Sequence, residues 1–182
     1  MSLKFYFAAR YSRLDELCAY RKDMVERGHH VPARWLRGGH QIETLEAASS
    51  APKDEARRFA IEDLEDVVAA DVIVSFTEQP RTTTTRGGRH VELGIGIGLR
   101  MADRTPAAPT LVVVGPFENV FHALPHIDAV FDDWPAFLAA FDALPSEHGW
   151  SAHGVEHCGL HPWHAQPWLH RKLFATPPVE GT

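Results

Sequence analysis

The sequence predicts an α/β domain in which a parallel sheet carries helices on both faces. Short apolar runs alternate with amphipathic stretches, and the order strand-helix-strand-helix demands parallel strands joined by crossover helices. The run Val72 to Phe76 is continuously apolar, as a strand buried on both faces must be. With 45% hydrophobic and 23% charged residues in a chain of 182, the composition is that of one globular domain with a sizeable core.

Taken in order, strand one is Leu3 to Ala8. Ser12 and Asp15 predict a capping box for the helix that follows, with Leu14, Leu17, Cys18, Met24 and Val25 as its apolar stripe and Gly28 as its stop. Strand two is expected near Val31 to Leu36. A polar loop through Gly38-Gly39 and Ser49-Ser50 leads to a helix with Ala56, Phe59, Ala60, Leu64, Val67 and Val68 expected inward. Its acids Glu62, Asp63, Glu65 and Asp66 read as a solvated face. Asp71 opens strand three, and Glu78 to Arg86 reads as a loop. The next helix, roughly Val91 to Met101, holds Gly94, Gly96 and Gly98. Each costs about 1 kcal/mol against alanine, which implies close backbone packing against the sheet or a ligand. Strand four, Thr110 to Val114, ends in Gly115-Pro116. A short fifth strand around Ala129 to Phe131 precedes a last helix with Trp134, Phe137, Leu138 and Phe141 on one side. Five strands so connected fit a flavodoxin-like, doubly wound order 2-1-3-4-5, whose crevice opens where strands one and three diverge. Residues 1–145 make this domain, and 146–182 form a C-terminal extension, a lid or an interface segment.

A net charge of -6 argues against a protein that coats nucleic-acid polymers, since that affinity rests on Lys and Arg neutralising phosphates. Cys18 and Cys158 supply no disulfide framework, the start Met-Ser-Leu-Lys-Phe-Tyr-Phe lacks the apolar stretch of a signal peptide, and no apolar run approaches the ~20 residues of a membrane span. These features predict a cytoplasmic protein with no membrane partner.

The segment Arg86-Gly-Gly-Arg-His-Val-Glu-Leu-Gly94 carries the chemistry. Gly87 and Gly88 let the backbone turn tightly and approach a ligand, and the helix after them points its partial positive charge at Glu92, which favours an ionised carboxylate. A positioned, ionised carboxylate beside a small-molecule crevice is what covalent glycosyl transfer requires of its nucleophile. A helix-capping acid beside a tight turn is the other reading of the same residues. Tyr6 and Arg10 leave strand one at the crevice. In Ala9-Arg10-Tyr11-Ser12-Arg13, a serine and two arginines at a helix N-terminus suit a phosphate, or else Ser12 caps and Arg10 and Arg13 solvate.

Together these pieces resemble the nucleoside 2-deoxyribosyltransferase family and its nucleotide N-glycosidase relatives. The resemblance covers most of residues 3 to 134 and rests on Phe5-Tyr6-Phe7-Ala8-Ala9, Ala70-Asp71-Val72-Ile73-Val74, Gly88-Arg89-His90-Val91-Glu92-Leu93-Gly94 and Gly115-Pro116-Phe117-Glu118-Asn119-Val120. It implies Glu92 as the nucleophile, Tyr6 beside it, Asp71 holding the base, and Asn119 reaching the sugar in a neighbouring subunit's site, hence a homo-oligomer. The implied activity is cleavage of the N-glycosidic bond of a (2′-deoxy)nucleoside or its 5′-monophosphate, with the sugar passed to another base or to water and no cofactor. Asp71 or His90 is expected to supply the leaving base with a proton. In the transferases an acid that reads the base precedes the catalytic glutamate by six positions. Arg86 stands there instead, so this chain selects the base differently or uses Arg86 on a phosphate.

The tail departs in composition. His148, His153, His157, His161, His164 and His170 surround Cys158, interleaved with Trp150, Trp163 and Trp168. No second Cys pair gives a zinc spacing, and Gly and Pro break any helix that would align ligands. A zinc protein built on this tail and a nucleotide-sensing module without turnover are the rival classes. Neither accounts for Tyr6, Asp71, Glu92 and Asn119 together.

Overall fold

The structure, a computed structural model, describes residues 2–40, 53–79, 87–102 and 108–144. Four strands, β1 (Phe5–Ala8), β2 (Val72–Phe76), β3 (Thr110–Val114) and β4 (Ala129–Phe131), form one parallel sheet in the order β1-β2-β3-β4. Tyr6 lies opposite Ile73, and Ile73 opposite Leu111. Among the described residues four helices cover the sheet: α1 (Leu14–Glu26), α2 (Lys53–Val68), α3 (Gly88–Ala102) and α4 (Trp134–Asp142).

Alternation along β1 divides the core between two faces. Phe5 and Phe7 point to α4, where their rings meet Phe141 and Trp134 edge-on, and α1 joins that layer through Tyr20 stacked on Trp134. Tyr6 points the other way, toward α2 and α3. Gly96 is the glycine of α3 that close packing explains: a Cβ there would stand 2.7 Å from Ile73 and 2.8 Å from Leu111, whereas Gly94 and Gly98 have open space.

Strand two does not form. Its place beside β1 holds the single parallel bridge Lys4↔His30, and Arg34–Arg37 coil into a 3-10 turn. Pro32 removes a ladder donor, the Arg34 N–H donates to Asp66 at 2.7 Å, and the Trp35 indole donates to the Phe7 carbonyl at 3.0 Å, taking the edge acceptor a strand would need. The sheet is the expected order without its outer member.

Two local expectations are also corrected. Ser12 and Asp15 make no capping box: Tyr11–Arg13 is a 3-10 turn, and the helix behind it has no side-chain cap. On α2 the faces are partly exchanged. Phe59 and Val67 are buried as expected, but Ala60, Leu64 and Val68 are exposed, while Glu62, Asp63 and Asp66 turn partly inward. The cause lies in what the helix packs against. Arg34 binds Asp66 and Glu65 through its guanidinium, and His40 lies against Asp63 and Glu62, so the 3-10 turn and its continuation draw the acidic side in.

Candidate active site

At the carboxyl ends of the strands, α3 begins with Gly88 and brings Glu92 round one turn later, facing Tyr6 from β1. Tyr6 is 1% exposed, and its hydroxyl and Glu92 Oε2 are both buried without a hydrogen bond of normal geometry to the protein. They nonetheless lie close enough to perturb each other. Burial first, then the neighbouring Glu92 and Asp63 carboxyls, push the Tyr6 phenol well above its usual range, so it stays a donor. The Glu92 carboxyl is pushed up to about 8, chiefly by burial and next by Asp63, against weaker opposition from Tyr6 and Arg89.

That reverses the expectation of a carboxylate ionised by its helix. Glu92 is not in the first turn of α3, where the unpaired N–H groups lie. The residue as a whole is partly exposed, but Oε2 is sealed, and that atom governs the cost of charge.

Asp63 is the member of the site that the sequence reading missed. Its Oδ1 is buried without a hydrogen bond, 3.4 Å from Nε2 of His40. Burial raises the Asp63 carboxyl, with Asp66 and Glu62 adding to the rise and His40 opposing it. Tyr6 OH, Glu92 Oε2, Asp63 Oδ1 and His40 Nε2 thus form a run of polar atoms shielded from solvent and not satisfied by the protein. Buried polar atoms are almost always hydrogen-bonded, so such a concentration marks a place for a polar ligand. An acid at i+4 from Phe59, on the same helical face, was the available signal.

The structure does not bring Asp71 to this group. It precedes β2 at the amino ends of the strands, and its Oδ2 accepts the Lys4 N–H at 2.9 Å, tying β1 to β2. His90 sits near the start of α3 with Nδ1 3.3 Å from the Asn119 amide nitrogen, which also lies 3.2 Å from Nε2 of His122. Asn119 Oδ1 accepts the Phe121 N–H and caps a 3-10 turn. A neutral imidazole accepts at one nitrogen only, so His122 takes either that amide or the Glu118 N–H at its Nδ1, 3.4 Å away.

The arginines at the crevice already have carboxylate partners, although Arg10 Nε is itself buried without a hydrogen bond. Arg13 grips Glu16 through two bonds of 2.7 Å, and Arg10 pairs with Glu78 at 2.9 Å. Ser12 is exposed between them. Arg89, 4% exposed and unforeseen as a site residue, forms an ion pair with Glu118. Burial pushes the Glu118 carboxyl up, but Arg89 outweighs it and holds the group below its usual range. Gly115, at φ 117°, lets the chain cross Thr77 so closely that a Cβ would stand 2.6 Å from its hydroxyl, which fixes Glu118 over the crevice. Gly87 and Gly88 are exposed at the start of α3, while Arg86 and the histidine tail lie outside the described residues.

No protein-family model matches the chain, and neither does any curated protein. Among solved structures it is similar to a 2-deoxyribosyltransferase from Bacillus psychrosaccharolyticus, characterised as a biocatalyst for the synthesis of antiviral and antitumoral nucleosides. The two share 17% identity with a TM-score of 0.53, over 74% of this chain and 89% of that one. At that identity the likeness concerns the fold.

Proposed function

We propose that this protein cleaves the N-glycosidic bond of a (2′-deoxy)nucleoside through a covalent glycosyl ester on Glu92, passing the sugar to a second base or to water. The observation that carries the reading is the buried Tyr6 hydroxyl facing the buried Glu92 carboxyl, both unsatisfied by the protein, at the crevice of a fold shared with a 2-deoxyribosyltransferase. As the base departs, positive charge develops on the anomeric carbon and Glu92 traps it, and the second displacement restores the original configuration. Tyr6 orients the attacking oxygen.

Asp63 raises the Glu92 carboxyl as a neighbouring acid does, and two such groups in one site divide the roles of base and acid. At neutral pH the pair holds one proton; in the reactive form that proton sits on Asp63, leaving Glu92 as the carboxylate, and Asp63 gives it to the leaving base. Asp63 replaces Asp71 in this role, because Asp71 is occupied at the far end of the sheet. Arg10, Arg13 and Arg89 each carry a carboxylate partner, so a 5′-phosphate would have to displace Glu78, Glu16 or Glu118. The free nucleoside is therefore the favoured substrate, contrary to the phosphate reading of Arg10, Ser12 and Arg13. Assembly as a dimer or larger is part of the proposal: Phe117, Val120 and Phe121 stand exposed around Asn119, an apolar surface suited to a second subunit.

The experiment is incubation with 2′-deoxynucleosides and their 5′-monophosphates, with and without adenine or cytosine as acceptor, followed by chromatography of the bases. Release or exchange of base from the nucleosides, at least about tenfold faster than from the monophosphates, is expected. A protein that binds them without any base release is a sensor, and the proposal fails.

A further inference from the structure

Among the buried polar atoms around Tyr6 that lack partners is one from His40, a residue the mechanism above does not use. The His40 side chain is 6% exposed, its ring lies 4.2 Å from that of Phe59 at 35°, and Nε2 points between two acids, 3.4 Å from Asp63 Oδ1 and 3.5 Å from Glu62 Oε2. Neither Nε2 nor Asp63 Oδ1 completes a hydrogen bond. Arg34 is committed to Asp66, Glu65 and the Glu62 carbonyl, so among the described residues the basic side chain at ion-pair distance from Asp63 is His40.

We propose that His40 is a positioning residue for the leaving-group proton, its Nε2–H stabilising the carboxylate that Asp63 becomes as it hands its proton to the departing base. The inference rests on the glycosyl-transfer reading above. In the first half-reaction the C1′–N bond breaks with its electron pair going to the base, the C1′–O bond to Glu92 forms, and the Asp63 proton moves to the base. In the second, an acceptor base or water attacks C1′, the ester bond returns its pair to Glu92, and the acceptor's proton returns to Asp63. From the reactive form, with the proton of the pair on Asp63, negative charge develops on that carboxyl only as the proton leaves. A donor held 3.4 Å from Oδ1, too long and poorly aligned for a resting hydrogen bond, tightens as that charge develops. Such a donor lowers the barrier because it interacts with the transition state more than with the ground state. Glu62 on the other side, 3.5 Å from Nε2, favours the tautomer with a proton on that nitrogen.

A residue acting this way matters only when the leaving group needs a proton. His40→Phe keeps a ring against Phe59 and deletes the donor, and His40→Gln returns an amide N–H. Turnover is compared within a pair of substrates sharing one sugar. The purine pair is 2′-deoxyguanosine and 7-methyl-2′-deoxyguanosine, whose cationic base departs neutral without protonation. The pyrimidine pair is 2′-deoxyuridine and 5-nitro-2′-deoxyuridine, and the pair used is the one the wild-type protein accepts. The expected result is a loss of about 100-fold in kcat for His40→Phe on the unactivated substrate, under about threefold on the activated one, and partial recovery in His40→Gln. Equal losses on both substrates, or no loss on either, overturn the assignment while leaving glycosyl transfer in place. A wild-type protein inert toward all four substrates overturns the reading on which it rests, and this inference with it.

Discussion

The two faces of one sheet are built to opposite rules. Toward α1 and α4 the strands present Phe5, Phe7 and Phe76 to Trp134, Phe137 and Phe141, and the one polar group in that stack, the Trp134 indole N–H, donates to Asp23 at 2.8 Å. Toward α2 and α3 the same strands offer Tyr6, and the helices answer with Glu92 and Asp63, whose buried oxygens have no partner. One layer is apolar apart from the Thr110 hydroxyl, which is buried without a hydrogen bond beside Phe5, Phe137 and Phe141. The other keeps desolvated carboxyls, which cost stability and are tolerated where they do chemistry. Single residues apart in sequence, Phe5, Tyr6 and Phe7 separate the two purposes.

Substitution of Glu92 tests this contrast most severely. Glu92→Gln should lower base release by at least about 10⁴-fold, as loss of a covalent nucleophile does, while making the protein more stable at alkaline pH. Between the ordinary carboxyl value of 4.5 and about 8, the folded protein holds a proton on Glu92 that the unfolded chain has released, so rising pH draws the equilibrium toward unfolding. The penalty is absent below the lower value and complete above the upper. Denaturant titrations at pH 4 and pH 8.5 should show the variant level with wild type at the first. At the second it should be more stable by about 2–4 kcal/mol, a figure discounted for the partial exposure of the residue. Because the reactive form needs the one proton that Glu92 and Asp63 share, kcat/KM should fall as pH rises through about 8. A stability difference independent of pH would remove the desolvated carboxyl from the account.

On the apolar face the expectation is inverted. Trp134→Ala removes a ring stacked at 4.6 Å on Tyr20 and 4.8 Å on Phe137, and should cost about 3–5 kcal/mol. Turnover by the protein that stays folded should change less than about twofold. A large fall in kcat with little loss of stability would mean that the two faces are not separate in function.

How much of this the sequence disclosed follows from the range of the forces involved. Strands at Val72–Phe76 and Thr110–Val114 and the helix from Trp134 were legible because period and apolarity are local properties. The missing outer strand was not, since it was lost to long-range competition: Trp35 reaching the Phe7 carbonyl and Arg34 reaching Asp66. The inward turn of Asp63 and Asp66 escaped for the same reason, because an acidic helix face reads as solvated until its partners Arg34 and His40 are placed. Glu92 and Tyr6 stood out by pattern. The ionisation of Glu92 did not, because helix position is visible in a sequence and burial of a single oxygen is not.

Tyr6→Phe gives the smallest effect and the finest distinction. A buried hydroxyl with a partner loses about 1–1.5 kcal/mol when deleted, whereas one without a partner removes a desolvation penalty along with itself. Tyr6 is 1% exposed and its hydroxyl reaches Glu92 without a hydrogen bond of normal geometry, so the variant should match wild-type stability to within about 1 kcal/mol. Its kcat should still fall about 10- to 100-fold, as the hydroxyl orients the Glu92 oxygen for attack. Interaction with Tyr6 lowers the Glu92 pKa, so its removal should move the fall of kcat/KM to higher pH. These readouts separate a hydroxyl kept for a ligand from one kept for the core. If Tyr6→Phe unfolds easily and its remaining folded fraction turns over normally with an unmoved pH profile, Tyr6 belongs with Phe5 and Phe7, and the division between the faces fails at its central residue.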